Sequence, residues 1–172
     1  RHLNLATPKW QQPIEHPAAT LDVDALAPFL GYWLAEGWLD RDKPGGSGVW
    51  LCQKAGPLAQ TMRASLEALG LGKIKTYAKR GEIQEYCLRH RGLMQWLRQE
   101  GGDSARTKRI PSGVFDWPAS AQRAVFEGMV AGDGHDQRFA SGKRVITYAS
   151  RSEQLIDDLQ RRLDDDELDF LE

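Results

Sequence analysis

The sequence predicts an α+β fold made of two related halves, because the chain resembles itself after a shift of 97 residues. The shift places "FLGYWLAEG" (29–37) over "FEGMVAGDG" (126–134), with Phe, Gly, an acid and a final Gly in register. The strand-like "VWLCQK" (49–54) then falls over "ITYASR" (146–151) without a gap. A helical pattern of apolar residues also recurs, Leu58, Met62 and Leu66 in one half and Leu155, Leu159 and Leu163 in the other. Such a repeat indicates a structural unit used twice.

Capping and turn residues mark the elements of the first half. Asp24 is a candidate N-cap, Pro57 suits a first helical turn, and Gly70 suits a helix end. The predicted elements are a helix over 24–36, a strand over 48–54, a helix over 57–69, strands over 73–79 and 83–89, and a helix over 92–99.

The second half is shorter than the first. A lead-in (1–23) and the first repeat (24–100) are followed by a polar, Pro-containing connector over 101–118. The second repeat (119–172) stops where its second strand pair should begin, so we expect it to be incomplete.

Composition favours one globular domain. The chain has 172 residues, of which 41% are hydrophobic and 27% charged, and no apolar run approaches a membrane span. Cys52 and Cys87 lie in strand-like segments without the spacing of metal ligands. We expect buried free thiols in a reducing, cytoplasmic compartment rather than a disulfide.

The charge is unevenly distributed. The net charge is −1, but residues 164–172 hold six acids, and the rest of the chain carries a net +5. Residues 73–109 contain ten Lys or Arg and four acids. This local excess is typical of a surface that contacts a phosphate backbone, although a solvated face has the same composition.

Glu36 and Asp133 end the two repeated helices, where an acid opposes the helix dipole at a cost of about 0.3–1 kcal/mol. Small residues four apart, Gly31 with Ala35 and Gly128 with Gly132, allow the helices to approach closely. Packing about a pseudo-twofold axis would bring the two carboxylates together, where a hard divalent cation, Mg²⁺, could neutralise them. Taken singly, Glu36 could be an exposed last-turn acid, and Asp133–Gly134 a type I′ turn.

These features resemble the LAGLIDADG homing endonuclease family, with "LGYWLAEGW" and "FEGMVAGDGH" as two degenerate motifs over roughly residues 25–165. The resemblance implies two αββαββα repeats, motif helices at the centre, and antiparallel sheets that form a DNA-binding saddle. It also implies that Glu36 and Asp133 bind Mg²⁺ and that a short strand follows each acid, "GWLDRD" and "GHDQRF".

"TKRIP" (107–111) resembles the Lys-x-Ile-Pro block of intein-borne endonucleases. The resemblance makes Lys108 a candidate catalytic residue that stabilises charge or polarises the attacking water. The alternative is a lysine in a solvated linker. Residues of splicing chemistry are absent, so the chain would be only the nuclease part of an intein, or a relic of it.

The strands supply candidate DNA contacts, whose direction depends on strand register. They are Lys73, Lys75, Tyr77, Lys79, Gln84 and Arg89 in the first repeat, and Arg138, Lys143, Arg144 and Thr147 in the second. Gly45, Gly46 and Gly48 predict a flexible hairpin tip, and Trp33, Trp50, Trp96 and Trp117 are predicted to lie in the core.

The sequence therefore predicts a Mg²⁺-dependent endonuclease that cuts double-stranded DNA at a long target site. The alternatives are a non-cleaving nucleic-acid-binding module, such as a maturase or DNA-binding regulator, and an inert remnant. The protein would act as a monomer with internal pseudo-symmetry, or with a partner chain that completes the second repeat.

Overall fold

The computed structural model describes residues 2–4, 20–41, 46–142 and 144–164. The helices and strands in this part of the chain are β1 (His2–Asn4), β2 (Thr20–Asp22), α1 (Val23–Glu36), β3 (Gly37–Leu39), β4 (Gly48–Lys54), α2 (Pro57–Ala68), β5 (Ile74–Ala78), β6 (Ile83–Arg89), α3 (Arg91–Trp96), α4 (Ala119–Asp133), β7 (Gly134–Arg138), β8 (Arg144–Tyr148) and α5 (Glu153–Asp164). A π-helical turn, Leu97–Gly101, follows α3. The connector before α4 contains a 3₁₀ turn at Ser112–Asp116.

The elements predicted for the first half are present, with differences at their ends. The N-cap of α1 is Asp22 and not Asp24: the Asp22 carboxylate accepts a hydrogen bond from the backbone N–H of Asp24 at 3.2 Å. The chain is still extended at Asp22 and already helical at Val23, so the capping position falls two residues earlier than predicted. The last helix ends at Trp96 because the π-helical turn replaces its final turn.

The strands of the described residues form three antiparallel sheets. β3, β4, β6 and β5 form a four-stranded sheet in that order, β7 pairs with β8, and β1 pairs with β2. Gly37 lies opposite Leu51 in the first sheet, and Gly134 lies opposite Tyr148 in the second. Each residue of the second pair lies 97 positions after its counterpart in the first pair. The strands that follow α1 and α4 are therefore paired in the same register in both halves.

The core surrounds α1. Its buried side chains point in all directions, with Leu26, Phe29, Leu30, Trp33 and Leu34 at most 1% exposed. A helix that is apolar on every side belongs in the interior, and α1 packs against α4, α2 and β4. Within the described ranges, no helix has the length and apolar character needed to span a membrane.

Glycines allow α1 and α4 to touch. A Cβ added to Gly31 would lie 2.2 Å from the carbonyl oxygen of Val125, and one added to Gly128 would lie 3.0 Å from the Cα of Gly31. A Cβ on Gly132 would lie 2.5 Å from the Cβ of Ala35. The small residues predicted to mediate the contact between the helices do lie in it.

Gly37 and Gly134 begin the strands that follow the two helices. Both are extended, with φ −96° and ψ 158° at Gly37 and φ −90° and ψ 165° at Gly134. A type I′ turn needs a positive φ, so Asp133–Gly134 is not one. Space explains the glycines instead, because a Cβ would lie 2.2 Å from Trp33 Cδ1 at Gly37 and 2.7 Å from Val130 Cα at Gly134.

Gly31→Ala should force α1 and α4 apart, because the new Cβ meets backbone that no rotamer change can move. We expect destabilisation of about 3 kcal/mol, the upper range for overpacking. For a chain of this size that lowers Tm by roughly 6–12 °C in thermal unfolding. Gly113→Ala is the control, because nothing lies within 4 Å of its added Cβ. Equal Tm values for the two variants would contradict the close contact.

Candidate functional site

The packing of α1 against α4 brings their last residues, Glu36 and Asp133, to one place. The contact extends to the helix ends, since a Cβ on Gly132 would lie 3.3 Å from Glu36 Cγ. Glu36 is half-buried and Asp133 is more exposed. Two carboxylates at this site repel each other unless a proton or a cation neutralises them.

Burial raises the pKa of the Glu36 carboxyl, and the negative charge of Asp133 raises it further. Lys108 and a hydrogen bond from Gln53 oppose part of this shift. Burial also raises the pKa of Asp133, again against the positive charge of Lys108. The folded protein therefore holds both carboxylates in an environment that disfavours their ionised forms.

Lys108 lies against the C-terminal end of α1, close to both acids, and only 6% of the residue is exposed. It is not a lysine in a solvated linker. Its ammonium donates hydrogen bonds to the carbonyl oxygens of Trp33 and Leu34, each at 2.8 Å, and of Ala35 at 3.2 Å. These carbonyls form the negative end of the helix dipole, so Lys108 offsets the cost of placing Glu36 there.

Burial lowers the pKa of Lys108 to about 8, and the nearby charges of Asp133 and Glu36 limit the fall. The ammonium also lies 5.3 Å from the ring centroid of Trp33, within range of a cation–π interaction. The site thus combines two carboxylates with one buried cation.

Ser152 and Asp158, whose roles the sequence did not reveal, hold the Lys108 segment against α5. The Ser152 hydroxyl donates to the carbonyl of Lys108, and the N–H of Ile110 donates to Asp158 Oδ2 at 2.9 Å. Ser152 is 0% and Asp158 6% exposed. Asp158 lies beside Leu155 and Leu159 on the buried side of α5. An acid at a position where the helical pattern predicts an apolar residue is the one sign in the sequence of its buried role.

Gln53 and Arg151 also lie at the site. Gln53 Nε2 donates to Glu36 Oε1 at a long 3.4 Å. An opening beside Asp133 and Lys108 is lined by Ser150 and Arg151. Gln53 and Ser150 are 97 residues apart and so occupy equivalent positions in the two repeats. The repeat could therefore have predicted that both lie near the acids.

The first sheet has a helix side and an outer side. Val49, Leu51, Tyr86 and Leu88 are buried on the helix side. By the alternation of strand residues, Lys75, Tyr77 and Arg89 lie on the outer side. Lys73 and Lys79 flank β5, and Lys79 pairs with Glu85 at 3.1 Å.

Gln84 lies on the helix side of the first sheet. It shares that side with Tyr86, whose hydroxyl donates to Gln84 Oε1. It therefore does not point outward with Lys75, Tyr77 and Arg89.

The second hairpin divides its candidates between two sides. Thr147 lies opposite His135, whereas Arg138 and Arg144 lie opposite each other on the side of Tyr148. Arg144 donates to Asp136 at 2.9 Å. Lys143 is outside the described residues.

Among the described residues of the hairpin tip between β3 and β4, Asp40 makes the stabilising contacts. The Asp40 carboxylate accepts hydrogen bonds from the backbone N–H groups of Ser47 and Gly48 at 3.2 and 2.9 Å. Gly46 is buried, and Gly45 is outside the described residues. The predicted flexibility of this tip stays a prediction.

Trp50 is the exception among the tryptophans predicted to lie in the core. Trp33 is 1% exposed, and Trp96 and Trp117 pack against the core. Trp50 instead lies on the outer side of the sheet, where its ring stacks on Trp38. The prediction was wrong because an apolar strand pattern does not show which side of the sheet is covered. Cys52 and Cys87 are free thiols in strands, as predicted, but only Cys87 is buried, whereas Cys52 is half-buried.

Lys108→Met should destabilise the fold. The carbonyls of Leu34 and Ala35 have no N–H partner within α1. The substitution would therefore remove their hydrogen-bond donor. We expect a loss of about 2–3 kcal/mol in the free energy of unfolding, measured by urea titration, because unpaired buried carbonyls are costly. Lys75→Met is the control, because Lys75 is exposed in β5 and should change stability by less than about 0.5 kcal/mol. Equal midpoints for the two variants would exclude the capping role.

Comparison with known proteins finds similarity to a family model and to solved structures. Residues 120–165 match a family model described as a LAGLIDADG-like domain. This segment contains Asp133, while the helix of Glu36 lies outside it. A search of the curated proteins finds no match.

Among solved structures, the chain is similar to the homing endonuclease I-WcaI bound to its DNA recognition sequence. The TM-score is 0.55 at 9% sequence identity, over 85% of this chain and 68% of that chain. At this identity the similarity is one of fold. The protein thus carries a match to a LAGLIDADG-like domain within a fold similar to that of a homing endonuclease.

Proposed function

We propose that the protein is a site-specific endonuclease that hydrolyses double-stranded DNA with a divalent metal ion, Mg²⁺, bound at Glu36 and Asp133. One observation carries the proposal. Two carboxylates meet at adjoining helix ends, both with raised pKa values, beside the buried ammonium of Lys108.

The donor set fits Mg²⁺. Carboxylate oxygens are hard ligands, and burial raises the pKa of both acids, so a bound cation would favour their ionised forms. No group of three or more His, Cys, Asp or Glu residues suited to a metal occurs in the described part of the chain. Mg²⁺ commonly uses only one or two protein carboxylates and completes its shell with phosphate oxygens and water. A bound Mg²⁺ would supply a Lewis acid and a nucleophilic water at neutral pH.

The protein's own residues then hold and orient the reacting groups. Glu36 and Asp133 supply the carboxylates, and Gln53 restrains the Glu36 carboxylate through their hydrogen bond. Lys108 places a positive charge close to the phosphate that would bridge the site, where it stabilises the developing negative charge. Ser152 and Asp158 fix the backbone on both sides of Lys108.

Duplex DNA as the substrate is supported by the sheets that leave the site. β3 and β7 begin directly after the two acids, and the first sheet presents Lys75 and Arg89 on its outer side. The structurally similar endonuclease is bound to its DNA recognition sequence. We propose that the outer sides of both sheets form a saddle on the major groove. Both acids come from one chain, so a monomer holds the complete pair.

An intein is the proposed setting of this nuclease, supported by the likeness of "TKRIP" to the intein-borne block. A non-cleaving DNA-binding protein is the second candidate. It is favoured by Lys108, whose three ammonium hydrogen bonds all go to α1 carbonyls and leave no proton for a substrate oxygen. Cleavage assays separate the two candidates.

Glu36→Gln with Asp133→Asn should raise Tm near pH 7. The pKa of each carboxyl is higher in the folded protein than its ordinary value. These groups therefore stabilise the fold most at pH values below the ordinary pKa, and that contribution is lost as pH rises through the folded-state pKa. The neutral amides remove this loss, and each kcal/mol recovered raises Tm by about 2–4 °C. Wild type should gain Tm when Mg²⁺ is added and the double variant should not. An equal Mg²⁺ effect on both would place the metal elsewhere.

Cleavage of a randomised duplex library tests the activity itself. We expect wild type to give Mg²⁺-dependent double-strand breaks, and Glu36→Gln or Asp133→Asn to reduce the rate at least about 10²-fold, as for loss of a group that stabilises transition-state charge. Glu67→Gln, an exposed acid of α2 paired with Arg63, is the control and should cut normally. Undiminished cutting by the site variants would disprove the assignment of the acids. Binding without any cutting by wild type would favour the second candidate.

A further inference from the structure

We infer that the outer side of the first sheet recognises the C5-methyl group of a pyrimidine in the DNA major groove, through an aromatic strip formed by Trp38, Trp50 and Tyr77. The inference rests on the proposed binding of duplex DNA and goes beyond it, because it assigns a chemical feature of the target site to named residues.

The strip crosses the sheet from β3 to β5. Trp38 lies opposite Trp50, and their rings are 5.6 Å apart with an interplanar angle of 6°. Trp50 and Tyr77 are also 5.6 Å apart, with their rings tilted by 38°. Because β6 lies between β4 and β5, these two rings meet above β6, which explains why Cys87 is fully buried on the outer side. Tyr77 remains 38% exposed.

Trp50, the central ring of the strip, presents its edges rather than its faces. It lies between Trp38, which is nearly parallel to it, and Tyr77, so a neighbouring ring lies on each side of it. A flipped base or a single-stranded base would need a free ring face on which to stack. The polar edge of Trp50 is already used, since its Nε1 donates to Asp40 Oδ1 at 2.8 Å. The remaining edge of Trp50 consists of apolar C–H groups.

The charges around the strip favour a polyanion. Lys75 lies opposite Cys87 in the same row as Trp50, and Arg89 lies on the same side at the end of β6. The acids at its margins have cationic partners: Glu85 pairs with Lys79 at 3.1 Å, and the charge of Arg89 acts on the Asp40 carboxylate. Lys75 has no such acid partner among the ion pairs of the described residues. An apolar centre with a cationic border matches a groove between two phosphate backbones.

The C5-methyl group is the apolar feature that a base pair displays in the major groove. Thymine carries it, and 5-methylcytosine carries the same group. Side chains that read guanine or adenine there need bidentate hydrogen bonds, which neither ring C–H edges nor the single hydroxyl of Tyr77 can provide. Apolar contact with a methyl group is the recognition that this strip can make.

The test begins with duplexes selected from a randomised library by wild-type protein in the presence of a chelator, so that DNA is bound without metal-dependent cleavage. Each thymine of a selected duplex is then replaced by deoxyuridine, which removes only the methyl group. At the positions contacted by the strip we expect affinity to fall about fourfold per methyl, the value for burying one methyl-sized group. Cytosine at the same positions should bind more weakly than 5-methylcytosine.

Two variants of Tyr77 assign the effect to the strip. Tyr77→Phe keeps the ring and should retain the discrimination between thymine and deoxyuridine. Tyr77→Ser removes the ring and should abolish it at one or two positions while leaving the other positions unchanged. Tyr77 is the most exposed of the three rings, so its removal should leave the fold intact, which circular dichroism would verify.

The outcomes separate this inference from the proposed function. Tight duplex binding with equal affinity for thymine and deoxyuridine at every position would overturn the inference alone. A preference for single-stranded nucleic acid would also overturn it, because the inferred contact is made to a base pair in the major groove of a duplex. Failure to bind any duplex at low salt would overturn both the inference and the proposed function.

Discussion

The close contact between α1 and α4 is the constraint on which the rest of the structure depends. Gly31 and Gly128 meet with no space for a Cβ, and this fixes the two helices at a separation that larger residues do not permit. The helix ends are then adjacent, so the residue that closes each helix becomes part of one site. The strands that follow start from that site and carry the outer sides of the two hairpins away from it.

The same contact creates an electrostatic cost, and the protein offsets it incompletely. Glu36 lies at the negative end of its own helix, and burial, followed by the charge of Asp133, raises its pKa. Lys108 reaches the α1 carbonyls from a distant part of the chain and is held there by Ser152 and Asp158. The burial of two neighbouring carboxylates, which raises the pKa of both, is the feature on which the proposed metal site rests.

The first sheet divides core packing from the proposed DNA recognition between its two sides. The helix side is filled by Val49, Leu51, Tyr86 and Leu88 and belongs to the core. The outer side carries aromatic rings in contact with each other, bordered by cations. Because side chains alternate along a strand, one short sequence such as Gly48–Lys54 serves both roles at once.

Local patterns in the sequence were enough to predict the longer helices and strands of the first repeat and the proximity of Glu36 and Asp133, because capping residues, apolar periodicity and a repeat are all visible along the chain. They did not predict β1 and β2, and only the family resemblance implied β3 and β7. The position of Lys108 as a cap of α1, the buried contacts of Ser152 and Asp158, and the outward placement of Trp50 could not be predicted in this way. Each depends on which distant segments meet, and on which side of a strand is covered. The sequence therefore carries the elements and the acids, whereas tertiary packing decides which charges are buried together and which side chains are left to meet a partner.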